Sequence, residues 1–300
     1  MNDTYFIDTH VHVRAHISPD RLSRGTYPSP ERAMEVLKPL GIRRAVILPG
    51  VHGDGVHDIQ GNGEILDICS RYPDFFIPFM NLAATQLTNR PDADLGHLMR
   101  FYKQHGCRGI GEMSCNVPFD DPLLLNLFHH AEENELPVLF HVGFQKGGCY
   151  GLIDDLGLPR LEAALRQFPR LQFIGHSQPF WAEISADVTE ETRRGYPKGP
   201  VAPGGRVVEL LRKYPNLSAD LSPATGGSGF NAIRRDPEFG FAFMEEFQDR
   251  LLFATDLAGP TTSDEMALVP YLHDAVATGK ISPTALAKIA HENAERLLKL

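Results

Sequence analysis

The stretch YFIDTHVHV, residues 5–13, places two imidazoles at the end of a short apolar run. Side chains alternate between the two faces of a β-strand, so His10 and His12 point to the same side. Four further apolar runs end in an imidazole or a carboxylate: CRGIGEM at Glu112, PVLFHVG at His141, LQFIGHS at His176 and LLFATD at Asp256. If these strands are parallel and share one sheet, their carboxyl ends converge and bring these side chains together.

Eight apolar runs can be marked along the chain, and segments with helical periodicity separate them. The runs are Tyr5–Val13, Arg44–Pro49, Phe75–Leu82, Arg108–Met113, Pro137–Val142, Leu171–His176, Leu217–Leu221 and Leu251–Asp256. This alternation predicts right-handed βαβ units, and eight of them favour an α/β fold of the (β/α)8 TIM-barrel type, formed as a single domain over residues 1–300. An open doubly wound sheet is the alternative, disfavoured because no G-x-G-x-x-G follows the first strand.

Two long loops follow the fifth and sixth strands: GFQKGGCYGLIDDLG, residues 143–157, and the segment from Ser177 to about Gly205. Long loops at this end of a barrel tend to cover substrates. The candidates for substrate binding are therefore side chains that follow strands or lie on these loops: Arg14, His52, Lys146 and Trp181. Arg14 or Lys146 could hold a substrate carboxylate. A solvated loop residue is the competing interpretation for each, and also for Asn81, Tyr150 and Asp220.

Composition limits the function further. The 300 residues carry a formal net charge of −9, which argues against a nucleic-acid or anionic-membrane surface and leaves a small-molecule substrate. The four cysteines form no C-x-x-C pair, and the N-terminus has no signal-peptide pattern, so we expect core thiols in a cytoplasmic protein. No nucleotide-binding G-x-x-x-x-G-K-[ST] and no G-x-S-x-G of a serine nucleophile occurs.

Imidazole and carboxylate are the ligands that borderline divalent ions prefer. The pattern therefore predicts a site for one or two divalent ions, with Zn2+ favoured and Mn2+ as the alternative. A single histidine in a strand is more often unrelated to metal binding, but several predicted strands of this chain end in a histidine or a carboxylate.

The segments IDTHVH, GE, FHVG, IGHS and ATD, with the terminal ENAERLLKL, together resemble the amidohydrolase superfamily, in particular its amidohydrolase-2-type branch. The resemblance covers nearly the whole chain. It implies a (β/α)8 barrel, one or two divalent ions and, most often, hydrolysis by a metal-activated water. Similar barrels are commonly dimers or tetramers, so a homo-oligomer is an open expectation.

The resemblance also implies roles for individual residues. His10 and His12 match the metal ligands of strand 1, and His141 matches the ligand of strand 5. His176 matches the strand-6 histidine, which is a ligand or steers water and substrate. Asp256 matches the strand-8 aspartate, a ligand that also takes a proton from the nucleophilic water.

Strand 4 departs from the commonest pattern of the superfamily. Many two-metal members carry a carboxylated lysine there, whereas this chain has Glu112, which could bridge two ions or orient a ligand histidine. Asp8 shares the side of His10, and we expect it to support the site from below.

Three functions remain open. The first is a metal-dependent hydrolase of an amide, lactone or ester bond, with Asp256 as proton shuttle and His176 beside the developing oxyanion. The second is a non-oxidative decarboxylase or other lyase that acts on a small carboxylic acid with one metal. The third is a barrel that binds a ligand without turnover; retention of His10 together with Asp256 argues against it.

Overall fold

The computed structural model describes residues 4–22, 25–54 and 56–300. Within those residues eight successive strands form the centre of the fold: β1 (Phe6–Val11), β2 (Ile42–Ile47), β3 (Phe76–Pro78), β4 (Ile110–Met113), β5 (Val138–Gly143), β6 (Phe173–His176), β7 (Leu217–Asp220) and β8 (Leu251–Leu252). The strands pair in parallel, in the orders β1–β2–β3 and β4–β5–β6–β7–β8. A two-residue strand, Leu152–Ile153, also pairs with the end of β5.

Backbone hydrogen bonds join the two groups of strands between β3 and β4, a junction that we call the first seam. Met80, just after β3, pairs with Ile110. Its N–H donates to the Gly109 carbonyl at 3.0 Å, and its own carbonyl accepts from Gly111 N–H at 3.0 Å.

The second seam joins β1 to the segment after β8. Val11 pairs with Leu257 in parallel. Asp256 N–H donates to the His10 carbonyl and His12 N–H donates to the Leu257 carbonyl, both at 2.9 Å. With both seams joined, the architecture is the predicted (β/α)8 barrel.

Helices follow the strands and cover the outside of the barrel. They are α1 (Pro30–Leu37), α2 (Asn62–Arg71), α3 (Leu95–Gln104), α4 (Pro122–Glu133), α5 (Pro159–Gln167), α6 (Gln178–Ala182), α7 (Arg206–Lys213), α8 (Ser228–Arg234), α9 (Pro237–Glu246), α10 (Leu268–Ala277), α11 (Pro283–Ala287) and α12 (Asn293–Leu298), with a π-helical turn at Lys288–Glu292 between the last two.

Several helices begin at a capping residue followed by proline. Ser29, Asp121, Asp236 and Ser282 each accept a backbone N–H of the first turn, and proline is the next residue in each case. The side chain satisfies a donor that the helix leaves unpaired, and proline costs nothing at a position whose N–H has no helical partner. The Ser-Pro and Asp-Pro pairs therefore fix where these helices start.

Two apolar clusters pack on opposite sides of the strands. The larger one lies between strands and helices and includes Val138, Phe140 and Phe173. The smaller one takes the alternate residues Leu139 and Ile174, together with residues of other strands and of α12. Strand alternation thus defines an inner face of the barrel, and α12 covers one end of it.

Both predicted long loops are present. The loop after β5 contains Leu152–Ile153, and the loop after β6 contains α6. The loop after β1, described over residues 12–22 and 25–29, is also long, which the sequence pattern did not single out. No helix among the described residues is both long and apolar enough to cross a membrane. The single-domain organisation of residues 1–300 stays a prediction.

Candidate metal centre

The site lies at the carboxyl ends of the barrel strands. His141 stands two residues after the inner-face residue Leu139, and His176 stands two residues after Ile174, so strand alternation turns both imidazoles inward. The seam hydrogen bond from Asp256 N–H to the His10 carbonyl holds the last strand-end carboxylate beside the first strand-end imidazole. The structure therefore brings the six predicted ligands together.

Four side-chain atoms form a first donor set: Nε2 of His10, Nε2 of His12, Oε2 of Glu112 and Oδ1 of Asp256. The two Nε2 atoms lie 3.1 Å apart. The Glu112 oxygen lies 3.7 and 3.4 Å from Nε2 of His10 and His12, and the Asp256 oxygen lies 3.6 and 3.8 Å from them. Ligands about 2.1 Å from a tetrahedral ion are about 3.4 Å from one another, so these spacings fit a zinc-sized ion.

The other oxygen of Glu112 faces a second donor set. Its Oε1 lies 2.7 Å from Nδ1 of His141 and 3.7 Å from Nε2 of His176. One carboxylate thus presents an oxygen to His10 and His12 on one side and an oxygen to His141 and His176 on the other. The 2.7 Å distance is that of a hydrogen bond to His141, so this carboxylate is placed either to orient that imidazole or to lie between two ions.

Asp220 at the end of β7 holds two of these imidazoles. Its Oδ2 lies 2.9 Å from Nδ1 of His10, and its Oδ1 lies 3.0 Å from Nδ1 of His176. The Ser222 hydroxyl donates to Oδ1 at 2.8 Å. Because Asp220 engages the Nδ1 atoms, the Nε2 atoms face the centre; carboxylates behind the ligand histidines of metal sites orient the rings in the same way. Asp220 is fully buried, so the expectation of a solvated residue is wrong.

Asp8 lies beneath the centre, as expected. It is fully buried and accepts hydrogen bonds from the backbone N–H groups of His10 and Thr255 and from the Thr255 hydroxyl, at 3.1, 2.9 and 2.5 Å. Burial raises the pKa of the Asp8 carboxyl to about 7, against these hydrogen bonds. Its contacts tie β1 to the segment after β8.

Closely spaced carboxylates and imidazoles shift one another's pKa values in the centre. Burial alone would lower the pKa of His10, but the carboxylates of Asp256, Asp220 and Glu112 outweigh burial and raise the pKa well above its usual value. Burial would raise the pKa of Glu112, whereas its hydrogen bonds to His10, His12 and His141 hold that pKa well below its usual value. The carboxylates create a negative potential that a divalent cation would balance.

A cavity of about 550 Å³ opens above the centre and is lined by His12, Glu112, His141, His176 and Asp256. The Asp256 side chain is 27% exposed, and its backbone has φ of 50°, a left-handed conformation that is uncommon for residues other than glycine. The backbone thereby turns this carboxylate toward the mouth of the barrel. Strained backbone of this kind clusters at functional sites.

Aromatic side chains from three loops complete the wall of this cavity. Tyr27 lies on the loop after β1, Phe144 and Tyr150 on the loop after β5, and Tyr196 on the loop after β6. The Tyr150 ring lies 4.3 Å from the His141 ring, centroid to centroid. The wall suits a small molecule with a flat apolar part.

The four substrate-binding candidates are not among the residues that line this cavity, and their role in substrate binding stays a prediction. Trp181 is buried in the core, where its Nε1–H donates to the Asp220 carbonyl at 2.9 Å. His52 is buried, and burial lowers its pKa. Lys146 donates to the Asn116 carbonyl. Arg14 is buried behind the wall and donates to the Asp58 carbonyl at 2.8 Å.

One further polar residue differs from expectation, and another was not singled out. Asn81 is buried and donates to the carbonyls of Pro49 and Glu112 at 3.1 and 2.7 Å, so it joins the ends of neighbouring strands. Arg21 lines the cavity from the loop after β1, and the sequence pattern did not single it out. A loop has no hydrophobic period, so the direction of its side chains leaves no signal in the sequence.

The family model of the amidohydrolases of the Amidohydro_2 type matches residues 7–300. The chain belongs to this amidohydrolase family. The family is one of metal-dependent enzymes, in agreement with the donor sets described above. A search of curated protein sequences finds no match.

The solved structures described next have the same fold, and each shares less than a fifth of its residues with this chain. An uncharacterised TIM-barrel protein from Bordetella bronchiseptica is 19% identical with a TM-score of 0.62, and the match covers 98% of both chains. A probable 2-pyrone-4,6-dicarboxylic acid hydrolase from Acinetobacter baumannii, with citric acid bound, is 13% identical with a TM-score of 0.60 over 98% of this chain and 99% of that one.

A third neighbour is a 5-carboxyvanillate decarboxylase from Novosphingobium aromaticivorans. It is 18% identical with a TM-score of 0.53 over 100% of this chain and 97% of that one, and it is complexed with manganese and a nitrobenzoic acid. At these identities the neighbours establish the fold. They include both a hydrolase and a decarboxylase.

Proposed function

We propose that this chain is a metal-dependent hydrolase that cleaves an amide, lactone or ester bond of a small molecule. The observation that carries the proposal is the position of Glu112, whose two carboxylate oxygens face two separate pairs of imidazoles. One side offers His10, His12 and Asp256, and the other offers His141 and His176. The donor set suits Zn2+ first and Mn2+ second.

A divalent ion bound there would supply Lewis acidity and lower the pKa of a coordinated water toward neutrality. The protein's own task is to hold the donors, place the scissile bond and move the proton. Asp256 faces the Nε2 atoms of His10 and His12 and also lines the cavity, so it can accept the proton of the attacking water and deliver it to the leaving group.

His176 is the second candidate for a catalytic role. Asp220 fixes its ring through Nδ1, while its Nε2 points toward Glu112 at 3.7 Å and its side chain lines the cavity. An imidazole held in this way can stabilise negative charge that develops on the substrate oxygen. Burial would lower its pKa, but the Asp220 carboxylate outweighs burial and raises it.

A screen of small lactones and esters in weakly buffered solution with a pH indicator, and of small amides by assay of the released amine, tests the proposal. Turnover should be lost on chelation, return with Zn2+ or Mn2+, and fall by about 10²-fold or more in Asp256→Asn, as loss of general acid–base catalysis predicts. The matched control is Asp249→Asn, an exposed carboxylate that pairs with Lys288. Turnover that withstands both chelation and Asp256→Asn would overturn the proposal.

A single-metal decarboxylase is the second candidate, because a 5-carboxyvanillate decarboxylase shares the fold over the whole chain. In that reaction Asp256 would give a proton to carbon. Two measurements separate the two reactions. Incorporation of oxygen from labelled water into the product supports hydrolysis, whereas release of CO2 with one ion per chain supports the lyase.

A further inference from the structure

Three side chains in the last turn of α4, which we call the surface group, form a donor set on the outside of the barrel. Nε2 of His129 lies 3.4 Å from Oε1 of Glu133, and Nδ1 of His130 lies 3.3 Å from Oε2 of the same carboxylate. One ligand atom from each of the three residues lies within 4.8 Å of the other two. Helical spacings of four and three residues thus place both imidazoles beside one carboxylate.

A hydrogen bond outside the surface group fixes the ring of His130. Its Nε2 lies 3.2 Å from the Ala93 carbonyl, and because a carbonyl can only accept, we assign the proton to Nε2. In the neutral ring Nδ1 then carries a lone pair, and this lone pair faces the Glu133 carboxylate at 3.3 Å. Two acceptors at this distance repel each other unless a cation joins them. That cation is either a second proton on the ring or a metal ion.

The surroundings of the surface group leave room for a metal ion. A Cβ at Gly96 would come within 2.9 Å of Nδ1 of His130, so the missing side chain keeps the space beside this nitrogen open. Arg100, which also lies beside Gly96, pairs with Asp94 at 3.5 Å. Within the described part of the chain, Glu133 pairs with the two imidazoles alone. The group also lies at the C-terminal end of a helix, where the helix dipole favours a cation.

Solvent reaches the surface group directly. The side chains of His129 and Glu133 are 54% and 49% exposed, whereas that of His130 is 16% exposed because it packs toward α3. None of the three residues is among those that line the cavity above the candidate metal centre. An ion could therefore enter and leave this group without passing through the barrel.

We propose that the surface group is an additional metal site, separate from the centre inside the barrel, and that it binds a borderline divalent ion such as Zn2+. Two imidazoles and one carboxylate are ligands that such ions prefer, and three protein ligands leave a coordination position to water. Because the ligands are exposed, the ion exchanges with solvent and is lost on dialysis. The site goes beyond the proposed function and does not depend on it.

Counting bound zinc at fixed free concentrations of the ion tests the proposal. The full chain is equilibrated with chelator-buffered Zn2+ and passed through an ultrafiltration membrane, and the zinc retained with the protein is measured by elemental analysis. As free Zn2+ rises, the wild type should take up one more ion per chain than His129→Gln or Glu133→Gln. The matched control is His97→Gln, which removes an exposed imidazole of α3 outside the surface group and should bind as much zinc as the wild type.

A second protein separates this site from the barrel. In the double variant His10→Ala with His141→Ala, which removes ligands of the barrel centre, the surface ion should remain and should disappear when Glu133→Gln is added. Circular dichroism should be the same in wild type and in the variants of the surface group. Equal zinc content of the wild type, His129→Gln and Glu133→Gln would overturn the proposal, as would an equal loss in His97→Gln. Zinc bound at the surface group of a wild-type barrel that holds none would support this site and overturn the proposed hydrolase instead.

Discussion

Nδ1 of His10 lies 2.9 Å from Oδ2 of Asp220, and both side chains are fully buried. The second oxygen of the same carboxylate holds Nδ1 of His176 at 3.0 Å. One residue from β7 therefore sets the ring orientation of two imidazoles from β1 and β6, so that both Nε2 atoms face the centre.

Replacement of the Asp220 carboxylate should lower the affinity for metal more than it lowers the free energy of unfolding. We expect Asp220→Asn to lower zinc affinity by about 10- to 100-fold, the usual cost of losing a residue that orients a ligand. Competition with a chromogenic chelator measures the affinity. The control is Asp154→Asn: Asp154 is equally buried but accepts backbone N–H groups at the start of α5, so its loss should lower stability and leave zinc affinity unchanged.

The proposed bridging role of Glu112 predicts how many ions each chain binds. Wild-type protein reconstituted with Zn2+ and then dialysed should hold two ions per chain, and Glu112→Gln should hold at most one, because the amide cannot offer two anionic oxygens. Elemental analysis by mass spectrometry gives the ratio. Glu183→Gln, a buried carboxylate paired with Arg193, should keep both ions. One ion in the wild type would exclude the bridge and favour single-metal chemistry.

A tight contact inside the barrel predicts a stability effect away from the site. A Cβ at Gly109 would come within 2.4 Å of the buried Phe79 ring. Gly109→Ala should therefore lower the free energy of unfolding by about 1–3 kcal/mol, as overpacking of a core does. Gly63→Ala in α2 meets nothing within 4 Å and should be neutral or stabilising by up to about 1 kcal/mol. Urea unfolding followed by circular dichroism compares the two; equal effects would refute the packing argument.

The ion-pair cluster at Glu162 predicts a pH dependence of stability. Hydrogen bonds from Lys213, Tyr214 and Arg206 lower the pKa of Glu162 from 4.5 to about 2. A carboxyl group whose pKa is lower in the folded state stabilises the fold above its unfolded pKa, and this contribution is lost as the pH falls through the folded pKa.

Glu162→Gln should therefore be less stable than the wild type at pH 7, by about 1 kcal/mol because water screens such a pair, and the gap should close between about pH 4.5 and 2. Urea titrations at a series of pH values measure the gap. Glu209→Gln is the control, since Glu209 is exposed and reaches Arg206 at 3.2 Å. A gap that stays constant down to pH 2 would contradict the assignment.

Strand periodicity predicted which side chains meet at the candidate metal centre, because side chains alternate between the two faces of every strand. A residue two positions after an inward-facing apolar residue also faces inward, and this holds for His141 after Leu139 and for His176 after Ile174. The Ser-Pro and Asp-Pro pairs likewise predicted where helices begin. The same alternation applies to Asp220 at the end of β7, but its contacts with imidazoles of two other strands depend on the tertiary structure.

Other features depend on contacts that periodicity does not encode. The two seams are closed by single backbone pairings, such as Met80 with Ile110, and carry no sequence pattern. Trp181 lies on the loop after β6, but its indole is buried where it bonds to the Asp220 carbonyl. Arg21 reaches the cavity through the conformation of an irregular loop. The sequence does not show which loop side chains reach the cavity, because that depends on the backbone conformation of each loop.

Anomalous diffraction from crystals grown with Zn2+ tests the central claim most directly. We predict a strong peak at bonding distance from the Nε2 atoms of His10 and His12, with Glu112 and Asp256 completing its ligands. The surface group formed by His129, His130 and Glu133 on α4 offers a competing site of similar composition. Zinc found only at that surface group, or none between His10 and Asp256 in zinc-saturated crystals, would contradict the account.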